Sequence, residues 1–368
     1  MTTYIHELQD WPKFHWDHEA LAAQLAAVRH RQGRLLGRME ALGFSFKKEA
    51  VLQMLTLDVL KSSEIEGEIL NVEQVRSSLA RRLGLEITGL VAVDRNVDGV
   101  VEMMLDATQN FDKPLTAERL FGWHAALFPT GRSGLHKIRV GAWRDDAKGP
   151  MQVVSGPIGH ERVRYEAPAA DRLDAEMTGF IDWANRQSKT DPVLKAAIAH
   201  MWFATIHPFD DGNGRIARAI ADWLLARSEK SAQRFYSMSA QIRQERNAYY
   251  DVLEETQKGT LDITNWIEWF LGCLDRAFGG TEFTLAGVFR KAQFWESYAN
   301  APLNERQRLV LNKMLDGLDG KLTSTKWAKL AKCSHDTALR DIRGLVEHGV
   351  LVKDLAGGRS TSYSLKQA

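Results

Sequence analysis

The sequence predicts an all-α fold with a small β-hairpin, and three observations predict it. Ten segments show apolar residues recurring at three- and four-residue spacing, the pattern of a helix with one buried face. Strand-like alternation is scarce and occurs beside glycine-rich turns. The composition, 44% hydrophobic and 26% charged, belongs to a soluble globular chain, and 368 residues can bury a large core in about two or three domains.

The helical periodicity covers residues 18–42, 48–66, 71–83, 98–110, 116–127, 168–186, 191–206, 213–228, 239–257 and 262–278. Met151-Gln-Val-Val-Ser155 and Glu161-Arg-Val-Arg-Tyr165 flank Gly156-Pro157-Ile158-Gly159 and read as a hairpin. A boundary is expected at Gly279-Gly280-Thr281, after the helix that holds Trp266, Trp269 and Phe270. A connecting helix then leads to a module that starts near Leu303. There Asn304–Leu318 and Ser324–Lys332 read as helices, Ser334 caps a third over Asp336–His348, and Gly349 ends it. Val350–Asp354 and Ser360–Leu365 form a last hairpin. Three helices and a β-wing resemble a winged helix-turn-helix.

Charge is unevenly spread. Residues 304–368 hold 12 Lys/Arg against 7 Asp/Glu, a net of +5, which leaves −4 on residues 1–303 of a chain whose total is +1. Nucleic acid is therefore a candidate partner of the C-terminal module alone, with Arg340 and Arg343 on its third helix and Lys353 and Arg359 on its wing as candidate DNA contacts. Cys273 and Cys333 make neither a CxxC pair nor a zinc set and read as thiols in a reducing compartment. With no leader-like pattern at the start and no apolar run of membrane-spanning length, a cytoplasmic protein with no membrane partner is expected.

The chemistry concentrates at His207-Pro-Phe-Asp-Asp-Gly-Asn-Gly-Arg-Ile-Ala-Arg218. Pro208 disfavours the right-handed α conformation at His207, so the apolar helix before it should stop there and present the imidazole at its tip. Two glycines within three residues free the backbone to turn successive N–H groups toward one point, and a new helix starts at once. That is an anion site built from backbone. Arg215 and Arg218 oppose the dipole of this helix at a cost of roughly 0.3–1 kcal/mol each, which implies an anion or a carboxylate that outweighs it. Asp211 beside such a site is the hard oxygen ligand that Mg²⁺ takes. Asp210 reads as a solvated or capping residue, and His200 as a core histidine with a hydrogen-bonded ring. The spacing is not that of an EF-hand, and no GxxxxGK[ST] occurs.

Residues 207–218 match position for position the signature of the Fic family, His-x-Phe-x-Asp/Glu-Gly-Asn-Gly-Arg-x-x-Arg. The resemblance implies a Fic helical core with a hairpin flap, followed here by the winged helix-turn-helix. It implies an adenylyltransferase that moves AMP from ATP onto a Ser, Thr or Tyr hydroxyl of a target protein, possibly itself. Carried over, His207 is the general base, Phe209 anchors the loop, and Asp211 holds Mg²⁺. Gly212, Asn213 and Gly214 hold phosphates, and Arg215 and Arg218 contact the β- and γ-phosphates. Ser62-Ser-Glu-Ile-Glu66-Gly67 fits the family's inhibitory pattern, Ser/Thr-x-x-x-Glu-Gly/Asn, at the end of a helix, where a bidentate Glu66–Arg218 pair would relieve two misplaced charges. The hairpin at 151–165 lies where the family carries its flap, and a free edge there suits pairing with a target's backbone. Asn247, Tyr249 and Tyr250 resemble a position near the nucleotide base.

The expected domains are residues 1–45, resembling the small domain of unknown role before many bacterial Fic cores; 46–90, with the inhibitory helix; 91–280, the catalytic core; 281–302, a connecting helix; and 303–368, the winged helix. A homodimer fits the resemblance. Two other functions stay open. One is removal of AMP from a modified protein, with Glu66 positioning a water. The other is a DNA-binding regulator whose Fic fold senses nucleotide.

Overall fold

The computed structural model describes residues 3–87, 89–147, 149–155, 162–354 and 361–366. The turn of the 151–165 hairpin and Arg359 lie outside them. The chain divides into two compact units, Met1–Ala41 with Lys47–Glu282, and Leu42–Phe46 with Phe283–Ala368.

The first unit is helical. Its elements are α1 (His18–Glu40), α2 (Phe44–Ile65), α3 (Val72–Arg82), α4 (Arg95–Gln109) and α5 (Ala117–Leu127), then the two-residue strands β1 (Arg132–Ser133) and β2 (His136–Lys137). The antiparallel hairpin of β3 (Gln152–Ser155) and β4 (Arg162–Glu166) follows, with a register shift between Val153 and Val154. Next come α6 (Leu173–Asn185), α7 (Pro192–Ile206), α8 (Asn213–Glu229), α9 (Met238–Gln244), α10 (Arg246–Gln257) and α11 (Thr264–Thr284). Local chemistry sets several of the starts: Asp17, Asn71, Thr116, Asp191 and Ser237 each accept from a backbone N–H of the helix they precede.

Helix α7 is the centre of the core. Every residue from Val193 to Ile206 is buried, so its sequence shows no amphipathic stripe, as a helix enclosed on all sides requires. It packs along α8, whose buried side chains include Ile216, Ile220, Trp223 and Leu224.

Two expectations are corrected. The backbone does not break at Gly279-Gly280-Thr281, because α11 continues through these residues to Thr284. Two helical glycines cost about 1 kcal/mol each relative to alanine, and the buried Leu274, Ala277, Phe278 and Thr281 outweigh that. The first 45 residues also do not stand apart. Trp11 and Phe14 meet the ring of Trp202 on α7 edge-on, and Tyr4 does the same to Tyr165 of β4.

The second unit contains α12 (Ala286–Ser297), α13 (Glu305–Leu315), β5 (Leu322–Thr323), α14 (Ser324–Ala331), α15 (His335–Glu347), β6 (Leu351–Lys353) and β7 (Ser362–Leu365). The strands form an antiparallel sheet in the order β5-β7-β6, so a third strand, unforeseen, joins the expected hairpin. Val310, Leu311, Leu322, Trp327, Ile342 and Leu345 fill a core of its own. Ser334 caps α15, accepting from Thr337 N. Asn304 and Gln307 reciprocate across the start of α13 in a capping box.

Candidate active site

Helix α7 stops at His207, which adopts φ 52 and ψ 56. The stop is where Pro208 places it, but the conformation is left-handed rather than extended. The physical reason is helix termination: in that geometry the His207 N–H still reaches Phe203 O at 3.0 Å, closing the last turn. The Nδ1 atom lies 3.2 Å from Ala204 O. A carbonyl only accepts, so the proton sits on Nδ1 and the Nε2 lone pair is left free. Desolvation dominates the environment of the ring and lowers its pKa to about 4. Arg144 lowers it further, whereas the Ala204 carbonyl, Glu66 and Asp211 raise it. The imidazole is therefore neutral at pH 7.

Phe209 is fully buried and lies face to face with His124, at 4.2 Å between ring centres and 8° between planes. It anchors the loop. His124 accepts from Gly141 N at 3.2 Å, and burial lowers its pKa to about 4. Asn213 has a different role from the one the signature suggests. Its side chain turns back on the loop, accepting from Phe209 N at 3.0 Å and donating to Phe209 O at 2.7 Å. What Asn213 leaves to a ligand is its backbone N–H.

Gly212, at φ +80, precedes α8, and no side chain caps that helix. The first intrahelical bond runs from Ile216 N to Gly212 O, which leaves the N–H groups of Asn213, Gly214 and Arg215 unused by the helix. The arginines behind them are buried, at 2% exposure each. Arg218 donates through Nε to Ser62 Oγ at 3.0 Å and through Nη2 to Ser62 O at 2.8 Å. Its Nη1 lies 2.8 Å from Glu66 Oε1 but is poorly aligned for a hydrogen bond. The expected bidentate Glu66–Arg218 pair is thus corrected. Ser62 takes two of the donors, because α2 runs close enough for its backbone and hydroxyl to arrive first. Burial disfavours the Arg218 charge, yet Glu66 leaves its pKa raised. Arg215 Nε is buried with no hydrogen-bond partner among the described residues.

Glu66 follows the last residue of α2, and Gly67, at φ +86, turns the chain away. The carboxylate reaches over the start of α8. A β-carbon built on Gly214 would lie 2.2 Å from Glu66 Oε1, so only glycine there admits the glutamate.

Asp211 accepts from Ser133 Oγ and from Gly212 N at 2.5 Å, and Asp210 accepts from Arg139 N at 2.8 Å. Asp210 is thus a brace for the segment after β2, not a ligand. His207, Asp211, Gly212 and Gly214 line a cavity of about 760 Å³, with Glu66, Asn247 and Tyr250 and with Val153 and Val154 of β3. Tyr250 OH is 3.4 Å from Glu66 Oε2. Tyr249 is instead core, with His200 Nε2 at 3.0 Å from its hydroxyl, as expected of a satisfied buried histidine.

Two charged residues with a direct bearing on the site escaped the sequence. Glu68 Oε2 accepts from Arg215 Nη1 at 2.6 Å. A second glutamate beside an inhibitory one looks like a solvated residue in sequence. Arg144, at 3% exposure, donates through Nε to His207 O at 2.9 Å. No spacing rule links positions 63 residues apart.

A Fic/DOC family model matches residues 114–225, and a Domain of unknown function (DUF4172) model matches residues 4–85. The chain is 32% identical over 237 residues to the Protein adenylyltransferase Fic of Nematostella vectensis, covering 62% of this chain and 49% of that one. It is 26% identical over 241 residues to the protein of the same name from Aedes aegypti, covering 62% and 41%. The chain thus spans less than half the length of these relatives. A Fic family protein from Desulfovibrio desulfuricans superposes with a TM-score of 0.58 over 95% of this chain and 97% of that chain, at 21% identity. A Fic domain containing signaling protein from Bacteroides thetaiotaomicron superposes at 0.52 over 71% and 98%, also at 21% identity. Those likenesses show the fold. Together with the signature and the family match, they establish that residues 114–225 belong to the Fic/DOC family.

Proposed function

We propose that the chain transfers AMP from ATP to a hydroxyl side chain of a protein, and that Glu66 restrains the reaction. The observation that carries this reading is that the His207 imidazole, whose Nε2 holds the lone pair, and the uncapped start of α8 line one cavity. His207 Nε2 takes the proton of the target hydroxyl, whose oxygen bonds to the α-phosphorus of ATP. The bond to the β-phosphate bridge breaks, and pyrophosphate leaves from the anion site of Gly212, Gly214, Arg215 and Arg218. Positioning and charge stabilisation supply the catalysis. Asp211 is one fitting donor for Mg²⁺, a hard carboxylate at the cavity wall. No group of three His, Cys, Asp or Glu placed to hold a metal lies among the described residues, so phosphate oxygens and water complete the shell. Bound there, Mg²⁺ neutralises phosphate charge.

In the reading of control, Glu66 and Glu68 occupy the cationic ends that triphosphate needs. Their relatives' name, protein adenylyltransferase, supports the activity. The test is incubation of Glu66→Gly protein with α-labelled ATP, Mg²⁺ and a lysate. Protein-bound label that vanishes with His207→Ala supports the reading. Label from γ-labelled ATP alone makes the protein a kinase and overturns it. Removal of AMP is the second reading, because Glu66 lines the same cavity as His207 and there suits a water-positioning role.

The C-terminal unit, with its helix, strand, two helices and two strands, supports a winged helix that meets DNA. Arg340 and Arg343 are exposed on α15 and Lys353 on β6, free to reach phosphates. Full-length protein should shift the gene's own upstream DNA at low salt and release it steeply as salt rises. No shift of any genomic fragment at low salt sinks this role.

A further inference from the structure

We propose that Arg144 is a positioning residue that holds His207 in its working geometry, acting on turnover and not on nucleotide binding. The inference rests on the AMP-transfer reading.

His207, Lys230 and Lys332 are the non-glycine residues with positive φ among those described. For an L-residue the left-handed region costs roughly 1–2 kcal/mol. Such a conformation persists where the surroundings over-determine it. At Lys230 and Lys332 the residue caps an ordinary helix end. At His207 the next residue is proline, which contributes no N–H to fix the turn.

Arg144 supplies what is missing. Its Nε–H donates to His207 O at 2.9 Å, and its own backbone N–H donates to Pro208 O at 2.9 Å. Two successive carbonyls are thereby held from one residue, which fixes the peptide plane on the C-terminal side of His207. The far side of the guanidinium is tied down as well. Nη2 donates to Pro168 O at 2.5 Å and Nη1 to Asp146 Oδ1 at 3.0 Å. Asp146 is itself held, accepting at Oδ2 from Ala170 N at 2.6 Å.

Burying a guanidinium is costly unless its donors are used, and here they are spent on main chain and one carboxylate. The residues that line the cavity include His207 and not Arg144, so the side chain is placed to act through His207 and not on substrate. Its charge works in the same direction as its hydrogen bonds. Glu66 and Asp211 both favour imidazolium, and Arg144 opposes them, keeping the base unprotonated.

The test compares Arg144→Met and Arg144→Lys in the Glu66→Gly background. Methionine keeps the stem and removes every donor; lysine keeps one charged donor. Arg144→Met should lower kcat about ten-fold or more, the factor of about 1.4 kcal/mol in barrier, while the KM for ATP stays within about two-fold. Arg144→Lys should recover part of that loss. A kcat unchanged in both variants, or a loss shared equally by kcat and the KM for ATP, overturns the proposal. A crystal structure of Arg144→Lys decides it without turnover, and also if the methionine variant fails to fold. His207 should relax from its left-handed conformation or lose the short contact to its carbonyl, and an unaltered His207 backbone with that contact intact overturns the proposal. Absence of AMP transfer in Glu66→Gly alone instead sinks the activity reading and leaves the structural arm standing.

Discussion

The two walls of the cavity are built on different physics. The His207 wall is rigid. Phe209 is fully buried against His124, Asn213 is closed onto the Phe209 backbone from both sides, and Arg144 ties down His207 and Pro208. Such contacts are directional and protected from water, and they hold geometry. The opposite wall is made of charge. Arg218 and Arg215 are buried there, with side-chain exposures of 2% and 3%, but Glu66 and Glu68 keep 29% and 45% of theirs. Half-exposed carboxylates gain little from an ion pair, typically about 0–1 kcal/mol. Buried guanidinium groups, by contrast, are costly to leave bare. The arginines are therefore the permanent part and the glutamates the exchangeable part. The gate opens when another anion takes the place of a carboxylate, not when the carboxylate simply leaves.

Four measurements break or sharpen that contrast. The largest effect belongs to the rigid wall: His207→Ala in the Glu66→Gly background should lower AMP transfer by about 10²–10⁴-fold, the usual worth of a general base. Retained label from α-labelled ATP would show that the imidazole is only a helix terminus. Next, Glu66→Gly should raise transfer at saturating ATP by about ten-fold or more over wild type, since near-attack geometry is worth several kcal/mol of barrier. Equal rates leave Glu66 as a helix-end carboxylate, and a lower rate favours AMP removal.

Glu68→Gln probes the more exposed carboxylate and should raise the rate by about two- to five-fold, as roughly 0.5–1 kcal/mol of a half-exposed pair implies. Its effect should shrink as salt rises, whereas that of Glu66→Gly should not. A salt-independent gain from Glu68→Gln would mean that the two acids do not differ as their exposures suggest.

The smallest expected change is in pH. His207 works as a base only when unprotonated, and burial lowers its pKa to about 4. Its depressed pKa keeps the active form populated at all pH values above that point. In the Glu66→Gly protein one of the charges that raise the pKa is gone, so the limb moves no higher. kcat/KM should therefore fall by less than about two-fold from pH 7 to 5.5, where a histidine of ordinary pKa would retain only about a tenth of its base form. An acid limb near 6.5 would show that the ring is hydrated when it works.

Much of this molecule was legible one residue at a time. The periodicity of α1 to α8 reports burial of a helix face, and the side chains of Ser334 and the glycine at 67 act on their own backbone, so neither needs the rest of the fold. The stretch from His207 to Arg218 is likewise local, since a helix stop, a glycine turn and a helix start are adjacent in the chain. Where sequence reasoning failed, the deciding contact joins distant positions. Glu68 meets Arg215 across 147 residues, Ser62 takes the Arg218 donors across 156, and Arg144 reaches His207 across 63. Asn213, although four residues from Phe209, closes on it because the Phe209 ring is already seated among Phe121, His124, Trp143 and Phe203. The run of α11 across Gly279 and Gly280 was likewise decided by burial of its neighbours rather than by intrinsic propensity. The sequence alone determined which groups surround the anion site. Only the tertiary structure determined which of their donors are already occupied, because a guanidinium or an amide is satisfied by whichever acceptor packing brings within reach.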